Sequence, residues 1–487
     1  MPAPRRFPRI PRLPNELWAL TLLAFVTRCW RLFTPGEIVW DEVHFEEFAS
    51  RYFSGAYYVD VHPPLGKLLF AAFAKFVGVT GVQLAAGTSA PELRILPAVA
   101  GALIIPFFWA FLRQLGASRK VALFGAAMLL LDNALLVQSR FVLMDSMLAL
   151  AGLAAVTAYL VARRRDGASR WRWLVASALL AGAAVSIKWT GLSALGLIGL
   201  TWLVDTWRAA RAARTPRTAG AHAESRADST ARTARELAVL ALAPLAVYVA
   251  TFAVHFALLP NDGIGVRYMT PAFAATRFGN AAYSPDASIS FAAEFADLNR
   301  VMAAQNLEWS NTQHPAASKW YTWPISKHPV LFWQNDHADG DTEWIMLQGN
   351  PVLWWGTLVT LALFAAALAA RRVRAGPQRD ALLFLAAGYA MNFLPFALIT
   401  RPMYLYHYFF GLLYSVALAS FAVGLLAGWM DRDDDALWRF PSARSRGVFV
   451  AAVALVALSF AYFAPMSYGT RLSREGLAHR RWLLEAH

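Results

Sequence analysis

Residues 15–48 read NELWALTLLAFVTRCWRLFTPGEIVWDEVHFEEF. The first half is a run of Leu, Ala, Phe, Val and Trp long enough to cross most of a bilayer core of roughly 30 Å. The second half is aromatic and acidic. An apolar span thus hands the chain directly to a polar segment at the membrane surface. No small-residue cleavage site follows the run, so a retained anchor is expected rather than a cleaved signal peptide.

The same apolar character recurs along the chain. Of 487 residues, 57% are hydrophobic and only 16% charged, more apolar surface than a soluble fold would bury. Hydropathy and length mark about eleven spans: 15–33, 93–114, 119–137, 140–163, 172–187, 190–206, 236–259, 351–370, 379–399, 403–430 and 447–465. The expected class is an all-α polytopic membrane protein forming a single membrane domain over 1–487. The lone cysteine, Cys29, excludes a disulfide framework and a cysteine zinc site. Its place in the first apolar run predicts a buried thiol.

The net charge of +14 could suggest nucleic acid, but its placement argues otherwise. Arg5, Arg6, Arg9 and Arg12 precede the first span. Every second loop after it is basic: Arg113, Arg119 and Lys120; Arg163–Arg165, Arg170 and Arg172; seven arginines between Arg208 and Arg235; Arg371, Arg372, Arg374 and Arg379; Arg432, Arg439, Arg444 and Arg446. That is the positive-inside pattern. It predicts a cytoplasmic N-terminus, an odd number of spans and an outer C-terminus, with Arg471, Arg474, Arg480 and Arg481 a mild exception. No nucleic-acid partner is needed to explain the basic balance.

The loops differ in kind. The cytoplasmic stretch 207–235 is rich in Ala, Arg, Thr and Ser and is expected to be a flexible linker. The outer segments 34–92 and 260–350 are rich in Trp, Tyr, Phe, His and acids. In the first, Phe45, Phe48, Tyr52 and Phe53 recur at helical spacing with Glu46, Glu47 and Arg51 opposite, which predicts an amphipathic interfacial helix. Leu65 to Val77 has a similar pattern. Between them, Asp60-Val61-His62-Pro63-Pro64 cannot be helical, because each proline constrains the residue before it. The turn places an acid and an imidazole near Asp41 and Glu42. That acid pair fits helix capping as well as chemistry.

Other ionisable groups fall on the same side. Arg94, Arg140, Asp145, Lys188, Arg401 and His407 all lie at the outer ends of spans, where a charge is costly unless paired or functional. A carboxylate that takes a hydroxyl proton, beside cations that hold a leaving phosphate, suits group transfer from a lipid phosphate to an acceptor arriving from water. No His-x₃-His or Asp-x-Asp motif points to a metal.

WDEVHF (40–45) followed by DVHPPLGK (60–67) resembles the first luminal loop of the protein O-mannosyltransferases. The resemblance continues in LDNALLVQSRFVLMDS (131–146), GAAVSIKWTGL (182–192), HPAASKWYTWPI (314–325), LQGNPVLWW (347–355) and RPMYLYHYFF (401–410). It implies a GT-C membrane glycosyltransferase that moves mannose, with inversion, from a polyprenyl-phosphate donor to Ser or Thr of secretory proteins. It implies Asp41 as the catalytic base and Glu42 as its neighbour in acceptor or sugar binding. Donor-binding or site-shaping roles are implied for Asp60, His62, Arg94, Arg140, Lys188, Arg401, Tyr406 and His407. No cofactor is implied beyond the lipid-linked donor. The implied partners are that donor, membrane lipid and acceptor polypeptides, taken as they emerge from the secretion machinery at the cell membrane. The 260–350 segment is too short for the β-trefoil MIR domain of eukaryotic members, so the resemblance is to a compact, bacterial-type member. Trp309, Trp320, Trp323 and Trp333 could cover the site or form an interfacial belt. Two other functions fit the same residues: transfer of another sugar, such as aminoarabinose, to a lipid, or transport of a lipid-linked sugar. Neither internal repeats nor interrupted midplane helices, which transporters often show, are evident.

Overall fold

The computed structural model describes residues 14–85, 87, 89–212, 226–308, 314–372, 375–430 and 437–481. Several positions of the charge pattern (Arg5 to Arg12, Arg214, Arg217, Arg374 and Arg432) and Trp309 lie outside these residues. All eleven expected segments fold as helix. The first is α1 (Asn15–Cys29). It ends earlier than expected, at a turn in which Arg31 takes a left-handed φ of 52°. Next come three helices of the first outer segment, α2 (Glu42–Ser54), α3 (Leu65–Val77) and the short α4 (Gly81–Ala85). Asp60 to Pro64 separates α2 from α3, as the prolines require.

The second expected span is α5 (Ile95–Leu115). The third is broken into α6 (Arg119–Leu130) and α7 (Asn133–Gln138). Asp132 causes the break, because its carboxylate caps α7 by accepting from Leu135 N at 2.7 Å. Its other oxygen accepts from the Trp354 indole at 2.6 Å. Then follow α8 (Asp145–Ala162), α9 (Gly167–Ile187), α10 (Leu192–Ala212) and α11 (Arg226–Leu258). The linker expected over 207–235 is thus helical at both ends, since α10 and α11 run past their apolar cores. Its middle, 213–225, lies outside the described residues.

The second outer segment holds α12 (Pro271–Ala274), α13 (Phe291–Glu308) and an antiparallel hairpin, β1 (Val330–Asp336) with β2 (Thr342–Leu347), bulged at Phe332. The chain ends with α14 (Pro351–Ala369), α15 (Pro377–Phe393), α16 (Phe409–Leu426), α17 (Ala443–Tyr468) and α18 (Arg474–Ala478). The chain is a multi-pass membrane protein. Among the described residues, seven helical segments are by themselves long and apolar enough to cross a bilayer. The other expected spans are the short α1, the broken α6–α7, and α9 and α10 with their charged ends.

Helices α8 and α16 are buried on most sides, whereas α11, α14 and α17 keep most of their surface exposed. That surface is apolar and suits lipid. Cys29 is on such a face of α1, beside Leu22, Val26 and Trp30, which corrects the expected buried thiol. In α2 the aromatic stripe turns inward at Phe45 and Tyr52, but Glu46 is buried with it and Phe53 is exposed. Glu46 therefore does not share the outer face expected of it.

Both outer segments and the C-terminal end occupy one end of the bundle. Tyr57 N and Asn261 N exchange backbone bonds with Asn261 and Gly55 at 3.1 and 2.9 Å. Thr342 pairs with Leu472, and Arg471 binds Asp339 and Asp341. Of the C-terminal arginines that stand apart from the charge pattern, Arg471 thus finds acidic partners on the hairpin turn. Other ion pairs tie the opposite end: Arg163–Asp205, Arg170–Glu236 and Arg208–Asp380.

Candidate active site

Asp41 follows a constrained residue. Trp40 has a left-handed φ of 52°, which a bulky side chain adopts only where its surroundings hold it. Here Phe332 of β1 stacks on the indole at 5.4 Å, and His314 and Tyr404 meet it edge-on at 5.8 and 5.9 Å. Asp41 stands at the N-cap position of α2, yet its side chain makes no capping bond. The capping alternative is thereby set aside. Burial raises the Asp41 pKa, which His44, Lys188 and His314 moderate and Asp145 raises further. The result is a largely desolvated carboxylate without a hydrogen bond from the described residues.

Glu42, one residue on, is its opposite. Its Oε1 accepts from Arg94 Nε at 2.8 Å and Val142 N at 2.9 Å. Its Oε2 accepts from Arg94 Nη2 at 2.7 Å and Val39 N at 2.8 Å. Arg94 directs its remaining N–H groups to the carbonyls of Leu32, Pro35 and Glu37 at 3.4, 2.6 and 2.7 Å. Both side chains are 0% exposed. Every oxygen of Glu42 and every N–H of Arg94 is thus engaged within the protein. Together they clamp the loop that presents Asp41. Arg140 also turns its terminal N–H groups to backbone, while its Nε has no partner among the described residues. Its Nη1 donates to Ser467 O at 2.9 Å and its Nη2 to Trp30 O and Arg31 O at 3.1 and 2.9 Å. The fully buried guanidinium lies over the Tyr468 ring and joins the end of α1 to the end of α17.

The remaining expected residues converge beside Asp41. Lys188, in the extended turn after α9, donates to Asp145 Oδ1 at 2.8 Å and lies 5.6 Å from the Tyr406 ring centre. Gln138 holds the second Asp145 oxygen at 2.8 Å. Asp60 pairs with Lys67 Nζ at 2.5 Å, and the same ammonium donates to His62 O at 2.6 Å. Burial holds the His62 pKa well below its ordinary value, reinforced by the positive fields of Lys188, Lys67, Arg401 and His407. Lys188 acts on Asp41 as well, so base and imidazole belong to one cluster. Arg401 is its one cation without a carboxylate partner among the described residues, and burial lowers its pKa despite nearby Tyr406, Tyr404 and Asp60. His407 is held from below, its Nδ1 on the Tyr404 backbone and its ring stacked on Trp323 at 5.9 Å.

Of the outer tryptophans, Trp323 is fully buried and Trp333 reaches the Glu37 carboxylate at 3.3 Å. Lys67, Tyr404 and His314 were not singled out in the sequence. Each lies inside a stretch quoted above, but a lysine after a proline turn or a tyrosine among tyrosines carries no signal of its own. Among the described residues no group of three or more His, Cys, Asp or Glu could hold a metal.

The fold is that of the GT-C membrane glycosyltransferases. One solved structure, the Saccharomyces cerevisiae protein O-mannosyltransferase Pmt1-Pmt2 complex bound to the sugar donor, matches with a TM-score of 0.85 at 18% identity, over 97% of this chain and 93% of that one. Another, ArnT from Cupriavidus metallidurans bound to undecaprenyl phosphate, matches at 0.51 and 16% identity, over 94% and 76%. In sequence, residues 18–260 match the dolichyl-phosphate-mannose-protein mannosyltransferase family and residues 291–486 its C-terminal four-helix membrane region. The chain belongs to the protein O-mannosyltransferase family. Relatives include Drosophila melanogaster protein O-mannosyltransferase 1, 37% identical over 54% of this chain, and Candida albicans dolichyl-phosphate-mannose–protein mannosyltransferase 4, 32% identical over 53%. The matched stretches span only 30% and 35% of those relatives' own lengths.

Proposed function

We propose that this chain transfers mannose, with inversion, from polyprenyl-phosphate-mannose to Ser or Thr hydroxyls of secreted or membrane polypeptides. The reaction takes place at the outer face of the cell membrane, with a cytoplasmic N-terminus, and uses no cofactor besides the lipid-linked donor. The observation that carries this reading is the pairing of an unbonded, desolvated Asp41 with a cluster of cations and imidazoles from three separate parts of the chain. Family membership supplies the sugar and the acceptor class.

In this reading Asp41 accepts the hydroxyl proton as the acceptor oxygen bonds to the anomeric carbon. The bond from that carbon to the phosphate oxygen breaks on the opposite face, and its electron pair leaves with the phosphate. Arg401, free of a carboxylate, stabilises the charge that grows there. Lys188 and Lys67, already neutralised by Asp145 and Asp60, contribute field rather than a direct contact.

The test is single-turnover transfer by Asp41→Asn, a change that keeps volume and removes the proton-accepting charge. The variant is expected to fold, bind donor and lose transfer by at least ~10²-fold. Transfer within a few-fold of wild type would refute the assignment. Label from polyprenyl-phosphate mannose appearing in lipid, with none in protein, would refute the acceptor class. A reporter fused after His487 should read outside and one within 207–235 cytoplasmic. The same side for both would overturn the orientation.

A further inference from the structure

One side chain in the aromatic frame around Trp40 has no part in the mechanism above. His314, from the second outer segment, meets the Trp40 ring at 5.8 Å and the Tyr404 ring at 5.3 Å, edge-on to both. With Phe332 on the face of Trp40, four stretches of the chain come together at the residue before Asp41. His314 is nevertheless exposed to water, so its ring, packed against the residue before Asp41, is open to a polypeptide arriving from solvent.

The main chain fixes what this imidazole can do. Ala316 N donates to His314 Nδ1 at 3.2 Å, so the neutral ring carries its proton on Nε2. That N–H has no acceptor among the described residues. A ring whose one lone pair is engaged and whose other nitrogen is protonated is a hydrogen-bond donor, poorly suited to receive the proton that Asp41 collects. A polypeptide that brings a Ser or Thr hydroxyl to Asp41 also brings main-chain carbonyls within a few ångströms. These are acceptors whatever the neighbouring side chains are.

We propose that His314 is an acceptor-binding residue whose Nε2–H donates to a main-chain carbonyl of the polypeptide presented to Asp41. This rests on the mannosyl-transfer reading and adds to it the residue that holds the acceptor. Recognition of this kind is indifferent to sequence around the hydroxyl, as a chain without a dedicated acceptor-selecting domain in this segment requires.

The experiment uses the full chain in nanodiscs, polyprenyl-phosphate-mannose and a synthetic Ser/Thr peptide. His314→Phe keeps the ring contacts and removes the donor, whereas His314→Gln restores an N–H. The Phe variant is expected to raise the peptide KM by about 5–20-fold, the effect of losing one hydrogen bond. Its donor KM should not move, and its kcat at saturating peptide should stay within a few-fold. The Gln variant should recover most of the loss. An unmoved peptide KM in the Phe variant overturns the proposal. So does a fall in kcat that free imidazole restores, which would make His314 a proton carrier. A wild-type chain that transfers nothing to peptide overturns the mannosyl-transfer reading itself, an outcome distinct from either.

Discussion

Two sets of charges lie within a few residues of each other and are built on opposite terms. In the Glu42–Arg94 clamp, carboxylate and guanidinium are fully buried and bonded to each other or to backbone. In the Asp41 cluster the base has no bond from the described residues and Arg401 has no carboxylate. The clamp is closed and the cluster is open. Saturation, more than burial or charge, separates a group that holds the loop from one that can meet a substrate.

The largest expected difference follows from removing one partner of the clamp. Arg94→Ala leaves Glu42 buried and unpaired, which costs on the order of 3–5 kcal/mol. Thermal unfolding in detergent should show a steep fall in Tm, with transfer lost alongside folding. Arg401→Ala should leave Tm nearly unchanged. A normal Tm for Arg94→Ala would break the comparison at its root.

A smaller effect is expected from Arg401 itself. Loss of a charge-assisted bond to the donor phosphate should weaken donor use by on the order of 1–3 kcal/mol, read as a raised donor KM or a lowered kcat. Unchanged values of both would remove Arg401 from the donor site and leave the open cluster without its phosphate ligand.

The smallest effect is a shift along the pH axis. In the proposed reaction Asp41 acts as a base only when ionised, and its pKa is raised by burial and by Asp145 and lowered by Lys188. Activity should therefore fall on the acid side at a pH above the ordinary aspartate range. Lys188→Ala removes the lowering charge and should move that limb to higher pH. Asp145→Asn removes the raising one and should move it to lower pH. Limbs that moved the same way in both variants would exclude Asp41 as the titrating group.

The sequence marked the residues of the candidate site, but not the bonding that sorts them. Lys and Arg counts placed Asp41, Asp60, Lys188 and Arg401 on one side because topology is set by charge along the chain. The same counts put Glu42, Arg94 and Arg140 there, and no pattern along the chain distinguishes them. Glu42 and Arg94 are 52 residues apart, and the carbonyls that saturate Arg94 come from a loop whose path the sequence does not dictate. Glu46 shows the same limit on a helix. Spacing placed it outward, while packing of α2 against α3 and α4 turned it inward, where burial pushes its pKa up to about 7.

What the sequence determined by itself is solvent and order: apolar runs sized to a bilayer, and a proline turn that splits two helices after the first span. These follow from local composition, because lipid, charge and backbone sterics act on short stretches. Only the tertiary structure decided which charges are neutralised, that α6 and α7 break at Asp132, and that His314 stands beside Asp41. Those outcomes depend on hydrogen bonds between residues far apart in the chain, whose partners are chosen when the helices pack.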